Sequence, residues 1–239
     1  MKTLLLLLGA AKLGKVALTA GTMLLSMAVY ALVFGPWYAV GFVLLIFFHE
    51  MGHFLAAKQR GLDVGAPTFI PFVGAWIQLK DQPMNVETEA YVAMAGPVCG
   101  TIAAMGCYYI ADSAQNPLWL ALAYSGLMLN LFNLIPLSPL DGGRITAIIS
   151  PKTWLIGAPI LVALFLWNHS PMLLLVALMA FPQVWATIKG TGQRNLPARY
   201  YDVPPNTRWN YAIYYLGLAA FLGVMSYQIH ETLQNLRLQ

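Results

Sequence analysis

Two histidines four residues apart, with a glutamate directly after the first, form the string His49-Glu50-Met51-Gly52-His53. On a helix, positions i and i+4 are neighbours on one face, so both imidazoles can grip a single metal ion. The carboxylate between them is then left beside the metal, where it can take a proton from water. The chemistry this set supports is metal-assisted hydrolysis. The string lies inside an apolar stretch from Trp37 to Ala57. That stretch is long enough to span a bilayer, where ionisable groups are costly and point to function.

The elements that must carry these residues follow from composition. Of the 239 residues, 59% are hydrophobic and 9% charged. A soluble domain would carry roughly 25% charged residues, so the chain reads as an all-α polytopic integral membrane protein with a single domain over 1–239 and the lipid bilayer as its surroundings. The positive residues behind the net charge of +4 follow membrane topology, which argues against nucleic acid as a partner. Cys99 and Cys107 stand eight residues apart in one apolar segment, too far apart on a helix to pair. The start of the chain resembles a signal peptide, but Lys12 and Lys15 interrupt it. It reads as an interfacial segment leading into the first span.

Seven apolar segments are expected as spans: Val16–Phe34, Trp37–Ala57, Ala90–Ala111, Leu118–Ile135, Trp154–Trp167, Met172–Ile188 and Tyr211–Ile229. The fifth is short for a span of ~20 residues. If all seven alternate, every Lys and Arg except Arg237 falls on one side. The positive-inside rule then predicts a cytoplasmic N-terminus and a C-terminus outside. Lys58 marks the interface nine residues after His49, which places His49 about 13 Å below the cytoplasmic surface.

A catalytic zinc takes three protein ligands and keeps one position open. His169 and His230 fall on the far side in this topology. Among the carboxylates Asp141 stands out, at the level of His49 and His53 and at the end of Asn133-Leu-Ile-Pro136-Leu-Ser-Pro139-Leu-Asp141-Gly-Gly. Pro136 and Pro139 break the helix before it, and such freed backbone must be shielded inside the protein. Gly142 and Gly143 allow another chain to approach closely.

Together, H-E-x-x-H in one span, Ala95-Gly96-Pro97, and N-x-x-P-x-x-x-L-D-G-G at 133–143 resemble the site-2 protease family of intramembrane zinc metalloproteases. The resemblance covers a core of about residues 37–149, with flanking spans at 16–34 and over 154–229. It implies that His49, His53 and Asp141 bind Zn2+, that Glu50 is the general base, and that Asn133 contacts substrate or the developing oxyanion. It also implies a transmembrane protein substrate, such as a membrane-tethered regulator or a remnant signal peptide, and a place in a bacterial cytoplasmic membrane. Many members add a PDZ or CBS domain, for which this sequence has no room, so gating is expected from membrane segments or partners. Oligomeric state is not readable from the sequence.

Thr68–Lys80 is aromatic and β-branched, with Pro71 and Gly74 as breakers. It predicts a short membrane-associated β-hairpin between the second and third spans, whose edge can receive an extended peptide. Plainer readings stand beside these. The histidines can hold helices together by hydrogen bonds. Asp141 can be an N-cap or a partner of Arg144. Asn133 can be a packing or capping residue, Asn130 reads as packing, and Ala95-Gly96-Pro97 as a close helix contact. The Arg194–Arg208 loop can meet lipid headgroups or simply fix topology. The rival function is a non-catalytic membrane metal-binding or transport protein, although no internal duplication supports it.

Overall fold

The structure is a computed structural model that describes residues 2–65, 67–71, 74–76, 85–114, 116–190, 197 and 199–237. The helices are α1 (Lys2–Phe34), α2 (Pro36–Gln59), α3 (Val86–Ala114), α4 (Pro117–Asn133), α5 (Asp141–Ala147), α6 (Trp154–Asn168), α7 (Pro171–Ile188) and α8 (Pro205–Arg237). Between α2 and α3, strands β1 (Thr68–Ile70) and β2 (Gly74–Trp76) pair antiparallel, with Phe69 opposite Ala75. The remainder of the expected hairpin, residues 77–80, lies outside the described residues, as does Arg194.

Each of the seven expected segments is helical, but among the described residues five helices are long and apolar enough to cross a membrane: 16–34, 36–59, 86–114, 171–188 and 205–236. Of the seven expected spans, α4 with 17 residues and α6 with 15 fall short of that length. Both are short for physical reasons. Asn116 caps the start of α4, accepting from the Leu118 N–H at 2.9 Å. Pro136 and Pro139 then prevent the helix from continuing far beyond Asn133. At its far end α6 stops where His169 adopts the left-handed conformation, φ 50°, just before Pro171 opens α7.

The core is a packed set of helices rather than a bundle of equals. Leu45 of α2, Ala93 and Ala104 of α3, Leu122 and Leu127 of α4, Ile145 of α5 and Leu222 of α8 form its main apolar cluster. Small residues let α3 sit close to its neighbours: Ala90, Ala93, Gly96, Gly100 and Ala104 recur every three or four positions and are buried. Without a hydrophobic drive between helices in lipid, such stripes are what permit tight packing. A second cluster joins Leu137 and Leu140, after α4, to Leu161 of α6 and Val176 of α7. Outward faces carry Leu32, Trp37, Ile102, Trp167 and Ile213, a lipid-compatible surface.

Candidate metal centre

One face of α2 presents His49 and His53, with ring centroids 4.8 Å apart. The break after α4 returns the chain so that Asp141, the first residue of α5, meets them. Asp141 Oδ2 lies 3.1 Å from His49 Nε2 and 3.2 Å from His53 Nε2, and the two Nε2 atoms are 3.1 Å apart. Three donors at ~2.0–2.2 Å from one tetrahedral metal stand about 3.3–3.5 Å from one another. The observed triangle is within a few tenths of an ångström of that arrangement.

The outer hydrogen bonds decide which ring atoms face inward. His49 Nδ1 is 2.8 Å from Asn130 Oδ1, and Asn130 Nδ2 donates to the Gly126 carbonyl at 2.7 Å. That second bond fixes the amide, so an oxygen faces His49 and Nδ1 must carry the proton. His53 Nδ1 likewise donates to the Val92 carbonyl at 2.8 Å. Both Nε2 lone pairs therefore point at the Asp141 carboxylate. Three electron-rich atoms in mutual contact call for a cation between them, and this outer bonding is the usual support of metal-bound histidine.

Glycines make the approach possible. A Cβ at Gly96 would stand 2.2 Å from His53 Nε2, and one at Gly100 would stand 2.4 Å from Asn130 Oδ1. The Ala95-Gly96-Pro97 motif is thus a close contact, as the sequence suggested, and what it contacts is His53. The plainer readings of Asp141 find no support. Leu140 occupies the N-cap of α5, with no side-chain capping bond. Arg144 turns to Glu89 instead, with Nε 3.4 Å from Oε1. The other Glu89 oxygen accepts from the Tyr200 hydroxyl. Burial, and then the Glu89 carboxylate, push the Tyr200 phenol far above the ordinary tyrosine range, so it remains a donor.

Glu50 is buried, and one of its carboxylate oxygens lies within 4.8 Å of the ring nitrogens of both histidines. It stands beside the triangle rather than in it. These residues open into a cavity of about 920 Å3 that also reaches Asn133 of α4, Ala75 of β2 and Met179 of α7. Asn133 donates from Nδ2 to the Leu129 carbonyl of its own helix at 3.1 Å and borders the same cavity. His169 packs on Phe165 and His230 on Tyr124, and neither lines this cavity.

Sequence reasoning placed Asn130 among packing residues, yet it orients His49. Its signal was available: an amide deep in a span needs a partner, and His49 is at its level. The wall supplied by α7 had no such signal, because its contribution is apolar.

Residues 37–117 match the model of peptidase family M50. The matched segment includes H-E-x-x-H and Ala95-Gly96-Pro97, and stops short of Asp141, which joins the site through the fold. A zinc metalloprotease of Methanocaldococcus jannaschii is 35% identical over 125 residues, covering 48% of this chain and 36% of that protein. A Synechocystis sp. protein named as a zinc metalloprotease is 33% identical over 103 residues, covering 41% of this chain and 27% of the relative. The chain thus matches between about a quarter and little more than a third of the length of these relatives. The solved site-2 protease from Methanocaldococcus jannaschii aligns with a TM-score of 0.46 and 23% identity, over 71% of this chain and 86% of that one.

Proposed function

We propose that this chain is an intramembrane zinc endopeptidase, with zinc held by His49, His53 and Asp141 and with Glu50 as general base. The observation that carries the reading is the convergence of two inward Nε2 lone pairs and one carboxylate oxygen beside a large cavity. Bound zinc supplies Lewis-acid polarisation of the scissile carbonyl and makes a water acidic enough to lose a proton near neutral pH. Glu50 takes that proton and returns it to the leaving amine. Asn133 uses one amide hydrogen on Leu129, leaving the second for the oxygen that becomes negative.

The substrate must arrive extended, since a helical peptide bond is shielded by its own hydrogen bonds. β2 suits its reception. Phe69 is held on the other side, its N–H donating to Thr22 Oγ1 at 3.2 Å, and the Thr19 hydroxyl donates to the Pro67 carbonyl at 2.6 Å. Because the Phe69 N–H points away from β2, the Phe69–Ala75 pair is the non-hydrogen-bonded kind, and the Ala75 backbone groups point away from β1. Ala75 borders the cavity, so an incoming strand can pair there. Transmembrane segments of membrane-tethered regulators and remnant signal peptides fit this requirement.

A metal carrier would need the three ligands but neither Glu50 nor a cavity of about 920 Å3. The test is cleavage in liposomes of a panel of single-span membrane peptides. Product should appear with the zinc-loaded protein, stop on chelation and return with zinc. Intact substrate throughout, with zinc bound, would leave the carrier reading in place.

The orientation that suits this activity is an N-terminus in the cytoplasm and a C-terminus outside. All basic residues but Arg237 then lie on the cytoplasmic side. Trp185 and Trp209 at the ends of α7 and α8 then form one interfacial belt, and Trp37 and Trp167 the other. A cysteine in place of exposed Lys152 should react with an impermeant maleimide only from the cytoplasmic face. Labelling from outside would invert the topology.

A further inference from the structure

The spans that follow the M50 match have work to do on the chain break that carries Asp141. Residues 134–140 and 148–150 flank α5 outside regular helix, and buried carbonyls at such breaks need donors that lipid does not supply. The donors come from elsewhere in the fold. Tyr215 of α8 donates its hydroxyl to the Leu134 carbonyl at 2.6 Å. Arg208 of α8 donates from Nη1 to the carbonyls of Ile148 at 2.8 Å and Ile149 at 3.1 Å, just past the end of α5. Its Nη2 and Nε go to Tyr201 and Val203, tying in the loop before α8. Trp154 of α6 donates Nε1 to the Gly143 carbonyl at 2.8 Å.

Arg208 is informative because its place is locally unfavourable. It lies in the first turn of α8, where a cation opposes the helix dipole. Among the described residues its hydrogen bonds all go to backbone carbonyls, so the fold employs this guanidinium internally rather than at a lipid headgroup. Only a planar guanidinium carries several fixed donors at once. Tyr215 and Arg208 stand two turns apart on α8 and grip the broken segment on both sides of Asp141.

We infer that Arg208 and Tyr215 are positioning residues: α8 clamps the 134–149 backbone at both ends and thereby holds the Asp141 carboxylate on His49 and His53. The inference rests on the zinc reading above, and the test separates the two. Amide exchange of residues 140–149 is followed in zinc-stripped protein, and zinc affinity is followed by competition with a chelator. Arg208→Gln and Tyr215→Phe should each speed exchange in that segment while α3 is unchanged. Each should weaken zinc about tenfold, the lower range for residues that orient a ligand. Arg208→Lys should recover part of the loss. Tyr227→Phe, which removes an exposed hydroxyl bond on the same helix, should change neither readout.

If Arg208→Gln fails to fold, Tyr215→Phe decides. Unchanged exchange and unchanged zinc affinity in Tyr215→Phe would overturn the clamp, as would faster exchange spread evenly over the helices. Wild-type protein that binds no zinc would overturn the metal assignment, while the exchange pattern would still judge the clamp.

Discussion

Replacing Glu50 by glutamine should abolish peptide cleavage and leave the bound zinc in place. The change keeps size and shape at a buried position, so the packing of α2 against α3 is preserved. What is lost is basicity, because an amide cannot accept the proton of the attacking water. General-base removal of this kind typically costs ~10²–10⁴-fold in rate. Zinc should remain because Glu50 stands outside the 3.1–3.2 Å triangle of His49, His53 and Asp141. The measurement pairs metal content with single-turnover cleavage of a membrane-spanning peptide, on the same preparation. Turnover within tenfold of wild type would remove Glu50 from the chemistry. A metal carrier, in contrast, would show the same zinc content and the same transport in both proteins.

The pairing of His49 with His53 was legible in the sequence because their spacing is itself the geometry. His49 and His53 share a helix face by the 3.6-residue period, and no tertiary information is needed to bring them together. Asp141 was legible in a weaker sense: its depth could be counted along the spans, but its approach depends on a chain break whose path the sequence does not encode locally. Pro136 and Pro139 announced that break, and they also ended α4 before it reached the length of a full span. The expected span to Ile135 rests on hydropathy, which stays high through the break and carries no mark of where the helix stops.

Asn130 was misread for a different reason. Nothing local to α4 names its partner, yet His49 Nδ1 lies 2.8 Å away, and a buried amide in a span needs a hydrogen-bond partner. The donors on α8 and α6 that serve the break were invisible, because which carbonyl a tyrosine or arginine reaches is a property of packing alone. The β1–β2 pair is similar. Alternation signalled strands over Thr68–Lys80, but not that Thr19 and Thr22 of α1 would fasten one edge and leave the Ala75 side toward the cavity.

Purified wild-type protein should carry about one zinc per chain, and His49→Ala and Asp141→Asn should each lose it. The two variants probe different parts of one argument. His49→Ala removes an Nε2 donor whose direction is set by the Asn130 amide. Asp141→Asn keeps the shape of the side chain but replaces the anionic oxygen that balances the metal charge and touches both histidines. Loss of either should lower affinity by about 10²-fold or more, beyond the ~10–100-fold expected for a residue that only orients a ligand. Asn130→Leu supplies that comparison, since it leaves all three donors in place and frees the His49 ring to turn. The expected order of zinc affinity is wild type, then Asn130→Leu, then the two ligand variants. Metal analysis with chelator competition gives the order directly. Full zinc content in His49→Ala would mean that the metal sits elsewhere. Retention in Asp141→Asn alone would mean that Glu50, whose carboxylate lies within 4.8 Å of both ring nitrogens, swings in as the third ligand, and its role as base would fall with that result.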